Sequence, residues 1–392
     1  MSVQTLKGFR DFLPQNARKR QFVLDALKKV FESYGFEPLE TPALEYEEIL
    51  TGKYGDEGDK LMYRFEDNGK RKVAMRYDQT VPLARVIAQY QNEIPLPFKR
   101  YQIQNVWRAE NTQKGRYREF LQVDADIVGT YSPLADAEII AVSAKCLEKL
   151  GFKEFKILIN DRANFRELSP KAVAIIDKLK KIGPSAVSEE LRKNNFDENL
   201  LMKIKNKKVS KKIEEIANAV YKIDRSLKEQ IIYESTLARG LDYYTELIFE
   251  VEVQDYGGGV VAGGGRYDNL IGMFSKRDIP AVGFSFGFDR LIEAMKQLNL
   301  FPNNLNGNEV LIAFADSELQ KKAMEISAKL RNKGLNTEFY LEDVPLEKQL
   351  KYADKKNIAY VLIVNSNNLI LKNMASGEQK KVILENLPDE LR

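Results

Sequence analysis

Three consecutive glycines, Gly263-Gly264-Gly265, running into Arg266-Tyr267-Asp268, constrain the fold of this chain more than any other feature. Such a run gives up side-chain packing and is costly to order, so it belongs where a backbone must come close to something else. The residues before it alternate as a strand, Ile248-Phe249-Glu250-Val251-Glu252-Val253, then turn at Tyr256-Gly257-Gly258-Gly259 and return through Val260 and Val261. This pattern predicts a hairpin over 246–262, with the glycine run within or just after its second strand, open to close approach by a ligand. It is not a phosphate-loop or dinucleotide fingerprint: no Gly-x-x-x-x-Gly-Lys-Ser/Thr follows a strand, and no helix opens on these glycines. Alone, the glycines suit a sheet bulge equally well.

Upstream lies Leu237-Ala238-Arg239-Gly240-Leu241-Asp242-Tyr243-Tyr244-Thr245. An arginine, an aspartate and two adjacent tyrosines set against a triple glycine suit a small zwitterion held beside a phosphate, read here as a pocket on two neighbouring strands. The chain has no histidine and one cysteine, Cys146. That excludes imidazole acid–base chemistry, a Ser-His-Asp triad, a Cys-rich zinc site and an internal disulfide. Catalysis must come from charge and positioning.

At 392 residues, 44% hydrophobic and 30% charged, the chain reads as a globular protein of two or three domains. No apolar run approaches the roughly 20 residues of a membrane span and the start lacks a signal-peptide core, so a cytoplasmic location is expected. The formal charge of +4 is too mild to announce a nucleic-acid partner, although the charges cluster.

Residues 15–35 carry helical spacing, and Gly35-Phe36-Glu37-Pro38-Leu39-Glu40-Thr41-Pro42 ends that helix and begins an extended segment, expected as a strand carrying Pro42. Strand-like runs follow at 72–76, 101–108 and 120–128. In the last, period two places Val123, Ala125 and Ile127 on one face and Phe120, Gln122, Asp124 and Asp126 on the other. Buried as mere core, that polar row would leave costly unpaired groups; it is either solvent-exposed or lines a site.

Arg108-Ala109-Glu110 opens a loop, Asn111-Thr112-Gln113-Lys114-Gly115, from which Arg116-Tyr117-Arg118-Glu119-Phe120 returns. A guanidinium can fork onto phosphate oxygens and an aromatic face can stack on a base. Further on, Ala281–Phe288 reads as a buried strand running into an amphipathic helix whose first turn holds Arg290, a placement opposed by the helix dipole unless the arginine meets an anion. Residues 164–230 turn helical and rich in Lys, with Lys203, Lys205, Lys207, Lys208, Lys211 and Lys212 as an electrostatic candidate for a phosphate backbone or a solvated face. After a linker-like 301–308, strands and helices alternate strictly, predicting a small α/β domain.

Together these motifs resemble the histidyl-tRNA synthetases, class II aminoacyl-tRNA synthetases, over essentially the whole chain from Lys7-Gly8-Phe9-Arg10-Asp11 onward. The long helix and Pro42 segment resemble motif 1, Arg108 to Phe120 motif 2, the Arg290 junction motif 3, and Arg239-Gly240-Leu241-Asp242-Tyr243-Tyr244 with the glycine run the family's own signatures. The implied fold is an α+β catalytic domain with an antiparallel sheet over 1–163 and 231–300. A helical insertion at 164–230 and an α/β anticodon-binding domain at 309–392 complete it. Lys348, Lys351, Lys355 and Lys356 become candidates for anticodon-stem contact.

The implied activity is histidine–tRNA ligation: histidine attacks ATP to give histidyl-adenylate and pyrophosphate, and the 3′ end of tRNA(His) takes the acyl group. By resemblance, Arg108 and Arg239 are catalytic at the α-phosphate, and Glu110, Arg116, Phe120 and Arg290 join Arg108 in binding ATP, with Mg2+ on its phosphates. Histidine falls to Asp78, Thr80 and Gln122 at the ammonium, Asp126 and Tyr244 at the imidazole, and Arg239 and Tyr243 beside them. A homodimer is implied by motif 1. Two departures stand out: Asn111-Thr112 occupies the place of a basic residue and proline, and Glu246 replaces a glycine, adding a carboxylate near the pocket. The competing reading, a histidine-sensing regulatory subunit of ATP phosphoribosyltransferase, accounts less well for a chain that keeps Arg108, Arg116, Arg239, Arg290 and the α/β tail.

Overall fold

The computed structural model describes residues 3–112, 116–197, 199–239, 243–257, 259–275, 277–302, 305 and 310–391. Gln113 to Gly115 of the loop after Arg108, Gly240 to Asp242, Gly258, and Asn303, Asn304 and Asn306 to Asn308 of the linker lie outside them. The chain divides into two compact units, the first running to Phe301 and the second from Pro302, with the short segment Pro14–Arg18 grouped with the second.

The first unit is built on an eight-stranded sheet in the order Glu37–Pro38, Phe98–Trp107, Glu119–Val128, Ala281–Gly287, Val260–Arg266, Leu247–Val253, Phe155–Asp161 and Ile231–Tyr233. Its interior pairs are antiparallel, and only its two edge strands pair in parallel. Alternation decides what each face does. Val123, Ala125 and Ile127 point with Val282, Phe284 and Phe286 into a core shared with Leu27 and Phe31 of the Pro14–Ser33 helix, Ile139 and Ile140 of Pro133–Lys149, and Leu291 of Phe288–Gln297. The opposite face of the same strands is thereby left for polar side chains. Beside the sheet, a three-stranded one (Leu44–Tyr46, Lys72–Met75, Arg64–Glu66) and the Thr80–Gln89 helix enclose a second core around Leu83, Ile87 and Ile271.

The glycine run is inside a strand, Val260–Arg266, paired on both sides. Two expectations are corrected. Leu237–Thr245 is not a strand in its described part: it is a loop, because the Asn160 side-chain amide takes the carbonyls of Ser235 and Leu237, which a ladder would otherwise use. Pro42 likewise lies between the strands Glu37–Pro38 and Leu44–Tyr46, since it has no N–H to give a ladder, and its carbonyl accepts from Arg76 instead.

Within residues 164–230, Pro170–Ile176, Leu179–Lys193 and Leu200–Lys205 share a small core of Ile175, Val187, Leu191 and Leu201. Lys211–Ile223 instead sends Ile213, Ile216 and Val220 into the main core. The second unit carries a five-stranded sheet, Thr337–Phe339, Val310–Phe314, Tyr360–Val364, Leu369–Asn373 and Gln379–Val382, with helices Gln320–Asn332 and Leu346–Lys355. Its first three strands are parallel and the rest antiparallel.

Candidate functional site

The polar face of the large sheet opens into a cavity of about 570 Å³. It gathers Thr80, Arg108, Glu110, Arg116, Phe120, Gln122, Asp126, Arg239, Tyr243, Tyr244 and Arg290 from segments spread over more than 200 residues of chain. A larger groove of about 870 Å³, lined by Leu44, Tyr46, Tyr90 and Ile94, holds none of these side chains. We assign the chemistry to the smaller cavity because buried polar atoms without partners collect there: Gln122 Oε1, Asp124 Oδ1 and Arg239 Nε. Such atoms are rare in native folds and gain partners when a ligand binds.

Strand register explains the floor. Arg100, Gln102 and Gln104 stand opposite Asp126, Asp124 and Gln122, which stand in turn opposite Gly283, Ser285 and Gly287. Arg100, wholly buried, lies 2.8 Å from Asp126 Oδ2 and donates to Gln102 Oε1. The other Asp126 oxygen accepts from the Tyr267 hydroxyl. Gly283 leaves the space Asp126 needs, since a Cβ there would sit 2.5 Å from the Asp126 Cγ. Burial raises the Asp126 carboxyl above its ordinary pKa, although Arg100 and Tyr267 pull it down. Asp124 is pushed up to about 7 by burial, with Arg100 opposing and Asp126 adding to the rise.

The arginines reach the cavity from four directions. Arg108 donates to the Tyr77 carbonyl and lies over the rings of Tyr77 and Phe120, at 4.4 and 5.2 Å. Arg116 is half exposed and 3.6 Å from Glu110. Arg290, in the first turn of its helix, donates to the Val260 carbonyl; Asp289 beside it satisfies the helix dipole and binds Arg10 and Arg20 at 2.7 and 2.8 Å. Arg239 reaches the Phe249 carbonyl and Glu250 through Nη1. Burial opposes its charge, but Tyr244, Glu250, Tyr243 and Asp177 more than compensate and raise its pKa. The expected ligand approach to the glycine run takes a different form: Gly263 makes room for the Arg239 guanidinium, and Gly265 for the Tyr244 ring.

Asp78, two residues before Thr80 of the wall, is 3% exposed, and its Oδ1 accepts from both the Tyr54 hydroxyl and the Val81 N–H. Glu246 is off the wall, paired with Lys212 and 3.8 Å from Arg266. Asn111 and Thr112 stand at the start of the loop that leaves the described residues.

Sequence reading gave no site role to Asp124, Arg100 or Tyr267. For Asp124 the signal was present in its place between Gln122 and Asp126. For Arg100 it lay in the matching alternation Arg100, Gln102, Gln104; for Tyr267 only the register of a distant strand could have found it.

The profile of the histidyl-tRNA synthetase family matches residues 8–189 and 163–291, and that of an anticodon binding domain matches 308–392. A histidine–tRNA ligase of Cytophaga hutchinsonii is 40% identical, covering 98% of each chain, and one of Porphyromonas gingivalis is 37% identical over 95% of each. The Cytophaga alignment runs over 445 positions, so that relative carries segments this 392-residue chain lacks. The crystal structure of histidyl-tRNA synthetase from Nostoc sp. PCC 7120 superposes with a TM-score of 0.85 at 29% identity, over 100% of this chain and 99% of that one. A Bacillus halodurans structure titled as an ATP phosphoribosyltransferase regulatory subunit/histidyl-tRNA synthetase shares the fold at 23% identity and a TM-score of 0.73, over 93% of this chain and 100% of that one.

Proposed function

The chain belongs to the histidyl-tRNA synthetase family, and we propose that its cavity joins histidine to ATP and hands the product to tRNA(His). The carrying observation is the meeting, in one cavity, of four arginines with a buried row of unpartnered acceptors. Cations answer a triphosphate; acceptors buried on a sheet answer the donors of an amino acid.

In the first step a histidine carboxylate oxygen attacks the α-phosphorus, the new P–O bond forms, and the bond to pyrophosphate breaks. In the second, the terminal ribose hydroxyl of tRNA attacks the acyl carbon and AMP departs. No side-chain nucleophile is needed, which suits a chain without histidine. Acceleration comes from alignment and from cations facing the charge that develops.

Arg108 and Arg239 flank the α-phosphate in this reading, Arg116 and Arg290 hold the outer phosphates, and Phe120 stacks on adenine. Mg2+ carried on the phosphates would add positive charge there, and Glu110, 3.6 Å from Arg116, is one of the cavity's carboxylates that would face it. Histidine sits against Thr80, Gln122, Asp126, Tyr243 and Tyr244, with Arg239 beside its carboxylate. Asp78, oriented through its Oδ1 by the Tyr54 hydroxyl and the Val81 N–H, joins Thr80 and Gln122 at the ammonium in this reading.

The catalytic segments are 1–163 and 231–300, the helical insertion 164–230, and the anticodon-binding domain 309–392. In the lysine run, Lys203, Lys207 and Lys212 are engaged with Asp197, the Asn164 carbonyl and Glu246. In the second unit, Lys356 is held by Glu338 and Lys351 by Glu347. A homodimer is part of the reading, supported by the apolar groove at Leu44, Tyr46 and Ile94, where Leu44 and Tyr46 are exposed. A cytoplasmic location goes with it; among the described residues no helix is long and apolar enough to cross a membrane.

The test is ATP–pyrophosphate exchange by the purified protein with each amino acid in turn. Exchange with histidine alone, followed by charging of tRNA(His), is the expected result. Histidine binding without exchange would instead support a regulatory subunit.

A further inference from the structure

We propose that Arg10 is a positioning residue of this cavity: through Tyr117 and Asp289 it sets Arg116 and Arg290, the two arginines that face the outer phosphates of ATP. The assignment rests on the reading of the cavity as a histidine-activating site that uses ATP.

Residues 3–13 form neither helix nor strand, and Val3, Leu6 and Leu13 are exposed, so this segment adds little to a core. It is nevertheless fastened. The Gly8 carbonyl accepts from the Arg118 N–H at 2.9 Å, and the Phe9 ring meets Tyr63 edge-on. Only glycine suits this point: φ is +90°, and a Cβ would stand 2.7 Å from the Arg118 Cγ. The segment thus runs against the strand that returns from the loop after Arg108, and it delivers Arg10 beside the cavity.

Arg10 joins two parts of the wall. Its guanidinium carbon lies 3.2 Å from the centre of the Tyr117 ring, and Nη2 donates to Asp289 Oδ2 at 2.7 Å. Nε is buried with no hydrogen-bond partner among the described residues, so the ring and the carboxylate carry the placement of the group. Tyr117 and Asp289 both line the cavity; Arg116 precedes the first and Arg290 follows the second. Arg10 itself is not on that lining and acts through its two neighbours.

The outer phosphates need such a tie. Arg116 is half exposed, with Glu110 3.6 Å away, so its own ion pair fixes it only loosely. A planar guanidinium can lie on a ring and pair a carboxylate at once, which an ammonium does less well. Removing it frees the Tyr117 ring and uncovers one oxygen of Asp289, whose other oxygen stays with Arg20. The uncovered oxygen then competes with phosphate for Arg290.

Wild type, R10A, R10K, Y117L and the R10A/Y117L double variant should be compared in histidine-dependent ATP–pyrophosphate exchange. ATP, pyrophosphate and histidine are varied separately, and histidine binding is measured by calorimetry without ATP. R10A should raise the ATP and pyrophosphate KM values by a common factor, about ten- to a hundredfold, because the outer phosphates of ATP leave as pyrophosphate. The histidine KM and the calorimetric affinity should stay within about twofold of wild type. R10K, which keeps the ion pair, should lie between R10A and wild type, and it carries the same test if R10A does not fold. The double variant should be no more than about threefold worse than R10A alone, since both changes break one contact. Equal rises in all three constants would make Arg10 a general support of the fold and overturn the proposal. So would a lowered melting temperature with unchanged ATP and pyrophosphate constants, or fully multiplicative effects in the double variant. A wild type without histidine-dependent exchange would remove the reading of the site and this assignment with it, whatever the variants do.

Discussion

Gly263 and Arg239 share one volume: a Cβ at Gly263 would stand 2.6 Å from the Arg239 Cζ and overlap its Nη1. The strand that should have carried a side chain at this point carries a guanidinium from another segment instead. Arg239 packs against the backbone at this point, and its Nη1 reaches the Phe249 carbonyl and Glu250 on the adjoining strand.

Gly263→Ala should therefore act as an active-site substitution without touching a polar group. The strand conformation accepts alanine, but the guanidinium must move. Exchange activity should fall about 10²–10³-fold, the range typical for losing one charge-stabilising donor, while the melting temperature changes little. Arg239→Lys should not rescue the Arg239→Ala loss, because an ammonium cannot reproduce the planar fork. Activity within a few-fold of wild type in Gly263→Ala would show that Arg239 has freedom this packing denies it.

Tyr267→Phe removes the hydroxyl that Asp126 accepts from while keeping the ring against Tyr243, 5.8 Å between centroids. The expected outcome is a rise in histidine KM, with a stability loss of about 1 kcal/mol for one buried hydrogen bond. Arg100→Met is the harsher change, since it strips a fully buried carboxylate of its cation, and breaking such a pair costs about 3–5 kcal/mol. Chemical denaturation of both variants orders the two effects.

The hydrophobic face of the central sheet was legible because period two is an intrinsic property of a strand: Val123, Ala125 and Ile127 declared themselves without reference to any neighbour. The same alternation announced the polar row. It could not say that Asp126 would be neutralised by Arg100, because that pairing depends on the register between two strands, and register is set by packing across the sheet. Leu237–Thr245 misled for a related reason. Its residue types favour a strand, but the Asn160 amide claims the carbonyls of Ser235 and Leu237, and the described residues at the start of the segment join no ladder.

Stability of the free protein should depend on pH with a defined sign. Burial raises the carboxyls of Asp78, Asp124 and Asp126, with Asp124 at about 7. A carboxyl whose folded pKa lies above its unfolded value keeps its proton longer in the folded state, so the unfolded chain binds fewer protons over that window. The contribution is complete below the unfolded value near 4 and is lost as pH rises through the folded one, about 7 for Asp124. Unfolding free energy, compared between wild type and D124N at pH 5 and pH 8, should show wild type losing more on going to pH 8. A parallel response in the two proteins would mean that Asp124 titrates near its ordinary value.

Arg266 and Asp136 give the last prediction, which concerns the frame around the site rather than the site. Both side chains are fully buried; Arg266 Nε donates to one Asp136 oxygen at 3.0 Å and Nη2 to the other at 2.6 Å, while Nη1 reaches the Thr130 carbonyl and Asp268. The fork fixes the end of the glycine strand to the first turn of the Pro133–Lys149 helix, 130 residues away in sequence. Asp136→Ala leaves a buried guanidinium with, among the described residues, Asp268 and, at 3.8 Å, Glu246 as its anions. The loss should be about 3–5 kcal/mol of stability, seen as a lower denaturation midpoint. Asp136→Glu keeps the charge but lengthens the side chain in a filled space, so it should recover only part of the loss. Because Thr245 N–H and hydroxyl also bind the Arg266 carbonyl, the same variant should shift Tyr244 and raise the histidine KM in whatever protein remains folded. A destabilised Asp136→Ala protein with an unchanged KM would show that this anchor holds the fold without setting the pocket.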